Sequence, residues 1–250
     1  MVEISTKEHF DIFIIGVGGT GSHLTSFLTQ LLGNNKDLKN KHRITLIDRD
    51  IVEEKNLRTQ KFLSSDVGKS KAEVLSDRYS AVYDIDIGYI DSYIEDESKL
   101  KELISNSSYR NSIIVSCVDN NKARRIIDKV FNEGIKNRYY YSSLIYIDTG
   151  NSSGEEELTG QTVIGYRKRD QIILPSASTF FPQILEDEEE EVPQESCGEV
   201  MLKNIQNIGA NITSACTVFN LINSILSFGI IPANLFTFNA SRIESESISL

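Results

Sequence analysis

The stretch Asp11–Gly21, DIFIIGVGGTG, is the most informative part of this chain. Its apolar run Ile12–Ile15 is typical of a strand that is buried on both faces of a parallel sheet. Glycines follow at once in a G-x-G-x-x-G pattern, and leucines and a phenylalanine then recur at helical spacing. This order predicts a nucleotide site, because a glycine turn and a helix N-terminus can both approach a phosphate. No G-K-[ST] follows, which excludes a P-loop. The glycines concerned are Gly16, Gly18, Gly19 and Gly21.

The composition of the 250-residue chain limits its function class. Hydrophobic residues make up 40% of it, which is enough for a substantial core, and the formal net charge is −10. This charge argues against nucleic acid or an anionic membrane as the main partner. The three cysteines are scattered, which excludes a four-cysteine zinc site and suits a reducing cytoplasm. We find no signal peptide, and no apolar run approaches the roughly 20 residues of a transmembrane helix.

A second strand is predicted at His42–Asp48, and it ends in an acidic residue. In a dinucleotide fold, an acidic residue at the end of this strand holds ribose hydroxyls. Asp48 is therefore a candidate for that contact, and a solvated strand terminus is the alternative interpretation.

Two segments after this strand carry a more specific pattern. Asp48–Phe62 reads DRDIVEEKNLRTQKF, and Asp66–Leu75 reads DVGKSKAEVL. The chain here resembles the ThiF/MoeB/E1 superfamily, whose pattern is a glycine loop, D-x-D-x-V, N-L-x-R-Q and D-x-G-x-x-K. The matching residues, in that order and spacing, are Asp48, Asp50, Val52, Asn56, Leu57, Gln60, Asp66, Gly68 and Lys71.

This resemblance implies an α/β fold with a doubly wound, mostly parallel, Rossmann-like sheet that is extended by antiparallel strands. A single domain would span residues 1–250, with a nucleotide-binding half over about 1–150 and a substrate-binding half over about 151–250. Members of the superfamily use ATP and Mg²⁺ to adenylate the C-terminal carboxylate of a small ubiquitin-like β-grasp protein, often as twofold pairs. The resemblance therefore implies a cytoplasmic adenylyltransferase that forms a homodimer. Within the superfamily, the chain looks most like the ThiF-family proteins of the bacterial PRTRC system.

The resemblance also assigns roles to individual residues. Adenylation builds negative charge on the phosphates, so cations and hydrogen-bond donors must face them. Lys71, at the start of a predicted helix over Ser70–Tyr83, would supply one cation, and a solvated lysine is the alternative. Asp50, Asn56, Arg58 and Gln60 would line the phosphate path.

A further strand, Ser112–Cys117, leads into Asp119 and Asn120. The superfamily has an aspartate at this position that holds Mg²⁺, commonly followed by asparagine. Ligands of an open sheet bind outside the carboxyl ends of its strands, so this position is suitable. Asp119 is therefore the predicted metal ligand, with an N-cap of the next helix as the alternative.

Two departures from the pattern bear on activity. The arginine of N-L-x-R-Q falls on Thr59, and an arginine stands one place earlier, at Arg58. Either Arg58 occupies the same space or a catalytic cation is lost, which would reduce the activity. In addition, no arginine precedes Asp11, so we do not expect a cation supplied in trans from the N-terminus.

The second half of the chain carries fewer signals. Strands are predicted in the region Ala81–Tyr93 and at Tyr139–Asp148 and Leu235–Asn239, with a long helix over Gln206–Leu226 and a polar tail at the end. The acidic segment 180–198 is predicted to be an exposed crossover loop. Its Cys197 would form a thioester or an acyl persulfide, or would be structural; the nearby carboxylates disfavour a thiolate.

Two rival functions remain. A nicotinamide-dependent oxidoreductase explains the glycines and Asp48, but not the block from Asn56 to Lys71. A nucleotide-binding module with reduced or lost catalysis is favoured by Thr59.

Overall fold

The computed structural model describes residues 1–106, 111–135, 142–153, 158–186 and 208–249. Its strands are β1 (Val2–Glu3), β2 (Phe10–Ile15), β3 (Arg43–Ile47), β4 (Ile87–Ile90), β5 (Asn111–Ser116), β6 (Ser143–Ser153), β7 (Leu158–Lys168), β8 (Gln171–Leu174), β9 (Ile230–Ile231), β10 (Leu235–Asn239) and β11 (Glu244–Ile248). Its α-helices are α1 (Gly19–Asn34), α2 (Lys71–Tyr83), α3 (Glu97–Ser105), α4 (Asn121–Glu133), α5 (Ala177–Phe180) and α6 (Ile208–Asn223). Short 3₁₀ helices cover Glu54–Arg58, Ser64–Asp66 and Pro182–Leu185, and a π turn over Ser224–Phe228 continues α6.

Nine of the described strands form one sheet, in the order β11-β10-β7-β6-β5-β2-β3-β4, with β8 paired to β7 outside this path. The five strands from β6 to β4 are parallel, and the strands from β6 outward to β11 pair in antiparallel fashion. The fold is therefore the predicted doubly wound, mostly parallel sheet with an antiparallel extension.

The two faces of the sheet carry separate hydrophobic cores. In β2, Ile12 and Ile14 join the core that includes Leu24 and Leu28 of α1, whereas Phe13 and Ile15 join the core that includes Ile127 of α4. Side chains alternate along a strand, so a strand that is covered on both faces favours apolar residues at successive positions rather than at every second one. This is why the continuous apolar run of β2 predicts a central parallel strand.

Local signals set the ends of several helices. Asp96 and Asn120 cap α3 and α4, where their side chains accept hydrogen bonds from Lys99 N and Ala123 N, each at 2.9 Å. Asp84 ends α2 in the left-handed region with φ of 51°, and Gly134 ends α4 with φ of 71°. These stops return the chain to the sheet after each crossover.

Several element predictions need correction. The predicted strand region Ala81–Tyr93 is wrong at its start, because α2 continues to Tyr83 and only Ile87–Ile90 pairs with β3. The predicted polar tail after Asn239 instead forms β11, which pairs with β10. The strand predicted at Tyr139–Asp148 is observed as β6, and residues 139–141 lie outside the described residues.

The long C-terminal helix is confirmed as α6, with residues 206 and 207 outside the described part of the chain. Residues 187–198, with Cys197 and most of the acidic segment, also lie outside it. Within the described ranges, no helix combines the length and the hydropathy that a membrane span requires.

Candidate functional site

A cavity of about 530 Å³ lies at the carboxyl ends of the parallel strands. The order of the sheet reverses between β2 and β5, since β2 leads to β3 on one side and β5 lies on the other. The chain turns away from the sheet at Gly16 and at Cys117, which leaves a crevice at the point where doubly wound folds bind their ligands. The volume is within the usual range for a small-molecule site.

Most of the predicted site residues line this cavity. They are Gly16, Gly18, Gly19, Asp48, Asp50, Gln60, Lys71, Asp119 and Asn120. They come from five stretches of the chain between Gly16 and Asn120, and the crossovers of the parallel sheet bring them together.

The glycine turn brings the backbone close to this crevice. Gly16 has φ of 83°, and a Cβ atom there would lie 2.9 Å from Cys117 O. Gly18 precedes α1, whose first turn has neither a side-chain cap nor an acidic residue in the described structure. The N–H groups at the start of a helix carry partial positive charge, so this end of α1 favours an anion.

Asp48 is buried at the end of β3, with 8% of its surface exposed. Its two carboxylate oxygens accept hydrogen bonds from Val17 N and Asp50 N, each at 2.8 Å. Burial raises the pKa of Asp48, and the two backbone hydrogen bonds oppose that shift. The alternative of a solvated strand terminus is therefore wrong. Each carboxylate oxygen has a second lone pair, so Asp48 can still accept a hydrogen bond from a hydroxyl group of a ligand.

Asp50 lies between a cation and a phenol. Its Oδ2 is 2.9 Å from Lys71 Nζ, and its Oδ1 accepts a hydrogen bond of 2.6 Å from the Tyr93 hydroxyl. Burial alone would raise the pKa of Asp50, but the hydrogen bonds from Tyr93 and Lys71 outweigh it and lower the pKa. The side chain of Lys71 is 7% exposed, so the alternative of a solvated lysine is wrong. Lys71 is a buried, paired ammonium group on the wall of the cavity.

Asp119 and Asn120 follow β5 and have different roles. Asn120 is the N-cap of α4, so the alternative that Asp119 caps this helix is wrong. The carboxylate of Asp119 accepts a hydrogen bond of 3.4 Å from Asn120 Nδ2 and lines the cavity. Asp119 is therefore an acidic group at the carboxyl end of a parallel strand.

Three of the predicted site residues do not line this cavity. A Cβ atom at Gly21 would overlap Gly16 O, so this glycine permits the close packing of α1 against the strand turn. Asn56 is buried, and its Oδ1 accepts a hydrogen bond of 2.9 Å from Glu53 N as part of a capping box. Arg58 is exposed at the end of a 3₁₀ helix. Thr59, which replaces the family arginine, is also absent from the cavity wall.

The sequence reasoning missed several residues of the cavity wall. The segment Ser92–Glu95, which follows β4, lines one part of it, and Lys122 of α4 adds a second ammonium group. The only available signal was their position after a parallel strand. Cys117 also lines the cavity, but burial raises the pKa of its thiol to about 12, which disfavours a thiolate at neutral pH.

Arg124 holds the loop after β5 in place beside the cavity. Its Nη2 donates to Val118 O at 3.1 Å and to Thr149 O at 3.3 Å, and its Nε lies 3.7 Å from Asp148 Oδ1. Asp148 is buried, which raises its pKa, while the charge of Arg124 opposes that shift. Arg124 therefore joins the loop that carries Asp119 to the middle of β6.

A Mg²⁺ ion fits this site only if a ligand supplies some of its oxygen atoms. In the described ranges, no three His, Cys, Asp or Glu side chains are close enough together to hold a metal. Asp119 offers one carboxylate, and Mg²⁺ commonly takes one or two carboxylates together with phosphate and water oxygens.

Comparison with known proteins gives the family. The ThiF family matches residues 5–249, and the chain therefore belongs to the ThiF family. Among curated proteins, none matches this chain.

Solved structures share the fold at low sequence identity. PaaA superposes with a TM-score of 0.63 and 16% identity, over 98% of this chain and 64% of PaaA. E. coli MccB with ATP superposes with a TM-score of 0.61 and 15% identity, over 98% of this chain and 64% of MccB. MccB with AMPCPP and MccA gives a TM-score of 0.62 and 16% identity, over 96% of this chain and 63% of MccB. The chain therefore spans just under two thirds of the length of these proteins.

Proposed function

We propose that this protein is an ATP-dependent adenylyltransferase that activates the C-terminal carboxylate of a polypeptide partner. One observation carries the proposal. The glycine turn, the D-x-D segment, Lys71 and Asp119 lie far apart in the chain but line one cavity. The family match, and the presence of ATP in a structure of MccB, support the same interpretation.

The roles of the residues follow from their positions. The backbone at Gly16–Gly19 and the start of α1 would hold the phosphates, because unpaired N–H groups there favour anions. Asp48 would accept a hydrogen bond from a ribose hydroxyl at one of its remaining lone pairs. Lys71 would face the phosphates with the N–H groups that it does not donate to Asp50, and Gln60 would add an amide donor.

The reaction is a displacement at the α-phosphorus. An oxygen of the partner's carboxylate attacks this phosphorus, and the bond between the phosphorus and the bridging oxygen of pyrophosphate breaks. Pyrophosphate leaves with the electron pair, so an acyl adenylate and pyrophosphate are the products. Negative charge grows on the departing oxygens, where fixed cations and donors lower the barrier most.

The charge of the cavity supports a role for Mg²⁺. Its described wall holds four carboxylates and only two lysines, Lys71 and Lys122; the carboxylates are Asp48, Asp50, Glu95 and Asp119. A triphosphate adds further negative charge, so a divalent cation is needed to offset the repulsion. Asp119 would hold the ion together with phosphate and water oxygens, and a bound Mg²⁺ would neutralise charge on the phosphates.

The partner that we propose is a small ubiquitin-like β-grasp protein, and the protein would act as a homodimer in a bacterial cytoplasm. Both expectations rest on the family resemblance. MccB has been solved with MccA, so the test must also include short peptides with a free C-terminus.

The test is ATP–pyrophosphate exchange with a panel of β-grasp proteins and C-terminal peptides. We expect exchange with at least one member, and a loss of about 100-fold in Lys71→Ala and in Asp119→Ala. Circular dichroism would confirm that both variants fold. Lys129→Met is the matched control, because Lys129 pairs with Glu97 on the surface and does not line the cavity. Full exchange in both cavity variants would refute the assignment.

A second candidate is a nucleotide-binding module with reduced catalysis. The observation that favours it is that neither Arg58 nor Thr59 lines the cavity, so a phosphate-facing cation of the family pattern is missing from its wall. For this candidate we expect that the wild type binds ATP with little exchange, and that Thr59→Arg increases the exchange rate by about tenfold. An active wild type that Thr59→Arg does not improve would rule this candidate out.

A further inference from the structure

The Tyr93 side chain is held from two directions at the wall of the cavity. Its hydroxyl donates to Asp50 Oδ1 at 2.6 Å, and the Arg49 guanidinium carbon lies 5.7 Å from the centre of its ring. Tyr93 belongs to the segment after β4, whereas Arg49 and Asp50 belong to the segment after β3. These contacts therefore tie together two segments that are separated by more than forty residues.

The same carboxylate also holds Lys71. Asp50 Oδ2 is 2.9 Å from Lys71 Nζ, and Lys71 N donates to Asp50 O at 2.9 Å. Each carboxylate oxygen of Asp50 therefore has its own donor, which restricts rotation of the carboxylate. An ammonium group has three N–H donors, and only one of them is used by Asp50 Oδ2.

We propose that Tyr93 is a positioning residue that acts through Asp50 to aim the Lys71 ammonium group at the phosphates. This inference rests on the proposed function and adds to it a residue that the family pattern does not contain. Without the Tyr93 hydroxyl, Asp50 Oδ1 loses its donor and the carboxylate can turn, so Lys71 loses its fixed direction. A cation contributes most to the reaction when it is oriented before the reaction begins.

Burial and charge support this interpretation. The Lys71 side chain is 7% exposed and that of Asp50 is 46% exposed, so water reaches the carboxylate and would compete for Oδ1 in the absence of the phenol. The hydrogen bond to Asp50 raises the pKa of Tyr93 to about 12, so the phenol stays protonated and remains a donor at neutral pH.

The first test is the kinetics of ATP–pyrophosphate exchange in Tyr93→Phe. This variant keeps the ring above which Arg49 lies and removes only the hydroxyl. We expect kcat to fall by about tenfold, the scale of one hydrogen bond to a charged group, with the KM for ATP changed less than about twofold. In Lys71→Ala, where the aimed group is missing, the added Tyr93→Phe should have no further effect.

The matched control is Tyr89→Phe. The Tyr89 hydroxyl donates to Glu73 Oε1 at 3.1 Å, so this variant loses the same type of hydrogen bond, but Tyr89 does not line the cavity. Its kinetics should equal those of the wild type. An unchanged kcat in Tyr93→Phe would overturn the inference. A raised KM with unchanged kcat would also overturn it, because the phenol would then contact the nucleotide directly.

A second test needs neither nucleotide nor partner. In protein labelled with ¹³C at lysine Cε, the Lys71 signal is identified by its absence in Lys71→Arg. We expect Tyr93→Phe to shift this signal and Tyr89→Phe to leave it in place. An unshifted signal in Tyr93→Phe would overturn the inference even if exchange is observed. If the signal shifts but the wild type shows no exchange with any partner, the positioning contact stands and the proposed function fails.

Discussion

The parallel and antiparallel parts of the sheet contribute very differently to the candidate site. Every described residue of the cavity wall lies between Ile15 and Ala123, in the parallel half and its crossovers. None comes from β6 to β11. The parallel strands end together at one edge, so the loops that leave them converge, whereas antiparallel strands send successive loops to opposite edges. The parallel half therefore builds the cavity, and the antiparallel half is available for another task.

The parallel half of the sheet is also more deeply buried than the antiparallel edge. Every residue of β2 and β5 is buried, whereas every residue of the terminal strand β11 is exposed. The sequence of β11 is ESESI, and its carboxylates protect the edge of the sheet against pairing with other chains. Substitutions should therefore have large effects near the glycine turn and small effects at the antiparallel edge.

The largest effect is expected at the glycine turn. In Gly21→Ala the new Cβ atom would overlap Gly16 O, a backbone atom that cannot move without displacing the turn. We expect the free energy of unfolding to fall by about 3 kcal/mol or more, measured by urea unfolding. Gly88→Ala in β4 is the control, because its nearest contact would be an ordinary 3.4 Å to Thr45 Oγ1. Equal unfolding midpoints for the two variants would contradict this packing role.

An effect no larger than this one, and dependent on pH, is expected where Arg124 joins the parallel half to β6. Arg124→Met would leave the buried carboxylate of Asp148 without its cation, at a cost of about 3 kcal/mol near pH 8. Burial already raises the pKa of Asp148 in the folded protein, and loss of Arg124 would raise it further. A raised folded pKa favours stability at low pH, and that stability is lost as the pH rises. The free energy of unfolding of Arg124→Met should therefore come closer to that of the wild type as the pH falls from about 8 to about 5.

Chemical denaturation across this pH range would check the prediction. Lys129→Met on the same helix is the control, because its ion pair with Glu97 is exposed, and exposed ion pairs add little to stability. A deficit for Arg124→Met that does not change with pH would show that Asp148 is not the group responsible.

The smallest effect is expected at the antiparallel edge. Ile248 of β11 is 49% exposed, so Ile248→Ala should change the free energy of unfolding by only about 0.5 kcal/mol. The same substitution at the fully buried Ile114 of β5 should cost about 2–5 kcal/mol. Urea unfolding of this pair measures the difference between the two halves directly. Similar losses would mean that the antiparallel edge is packed as tightly as the centre.

The sequence was most informative where one residue type satisfies a strict local requirement. The apolar run of β2 and the glycine after it predicted a central strand and a turn, and the structure contains both. β11 was missed because its glutamates and serines have low strand propensity, and its pairing with β10 supplies what the sequence pattern does not indicate.

The prediction of the site was incomplete for a related reason. A pattern such as N-L-x-R-Q identifies candidate residues, but it does not say which of them face the cavity. Asn56 and Arg58 stand beside Gln60 in the sequence, yet only Gln60 lines the wall. Tyr93 was missed because its contact with Asp50 joins two crossovers, and no local pattern records such a pair.

Equilibrium binding of Mg·ATP, with NAD⁺ as the competing ligand, tests the central claim most directly, because it asks which nucleotide the cavity accepts. Isothermal titration of the full chain should give saturable, one-site binding of Mg·ATP, weakened by about tenfold or more in Lys71→Ala, and no binding of NAD⁺. Binding of NAD⁺ without binding of Mg·ATP would contradict the account and favour an oxidoreductase.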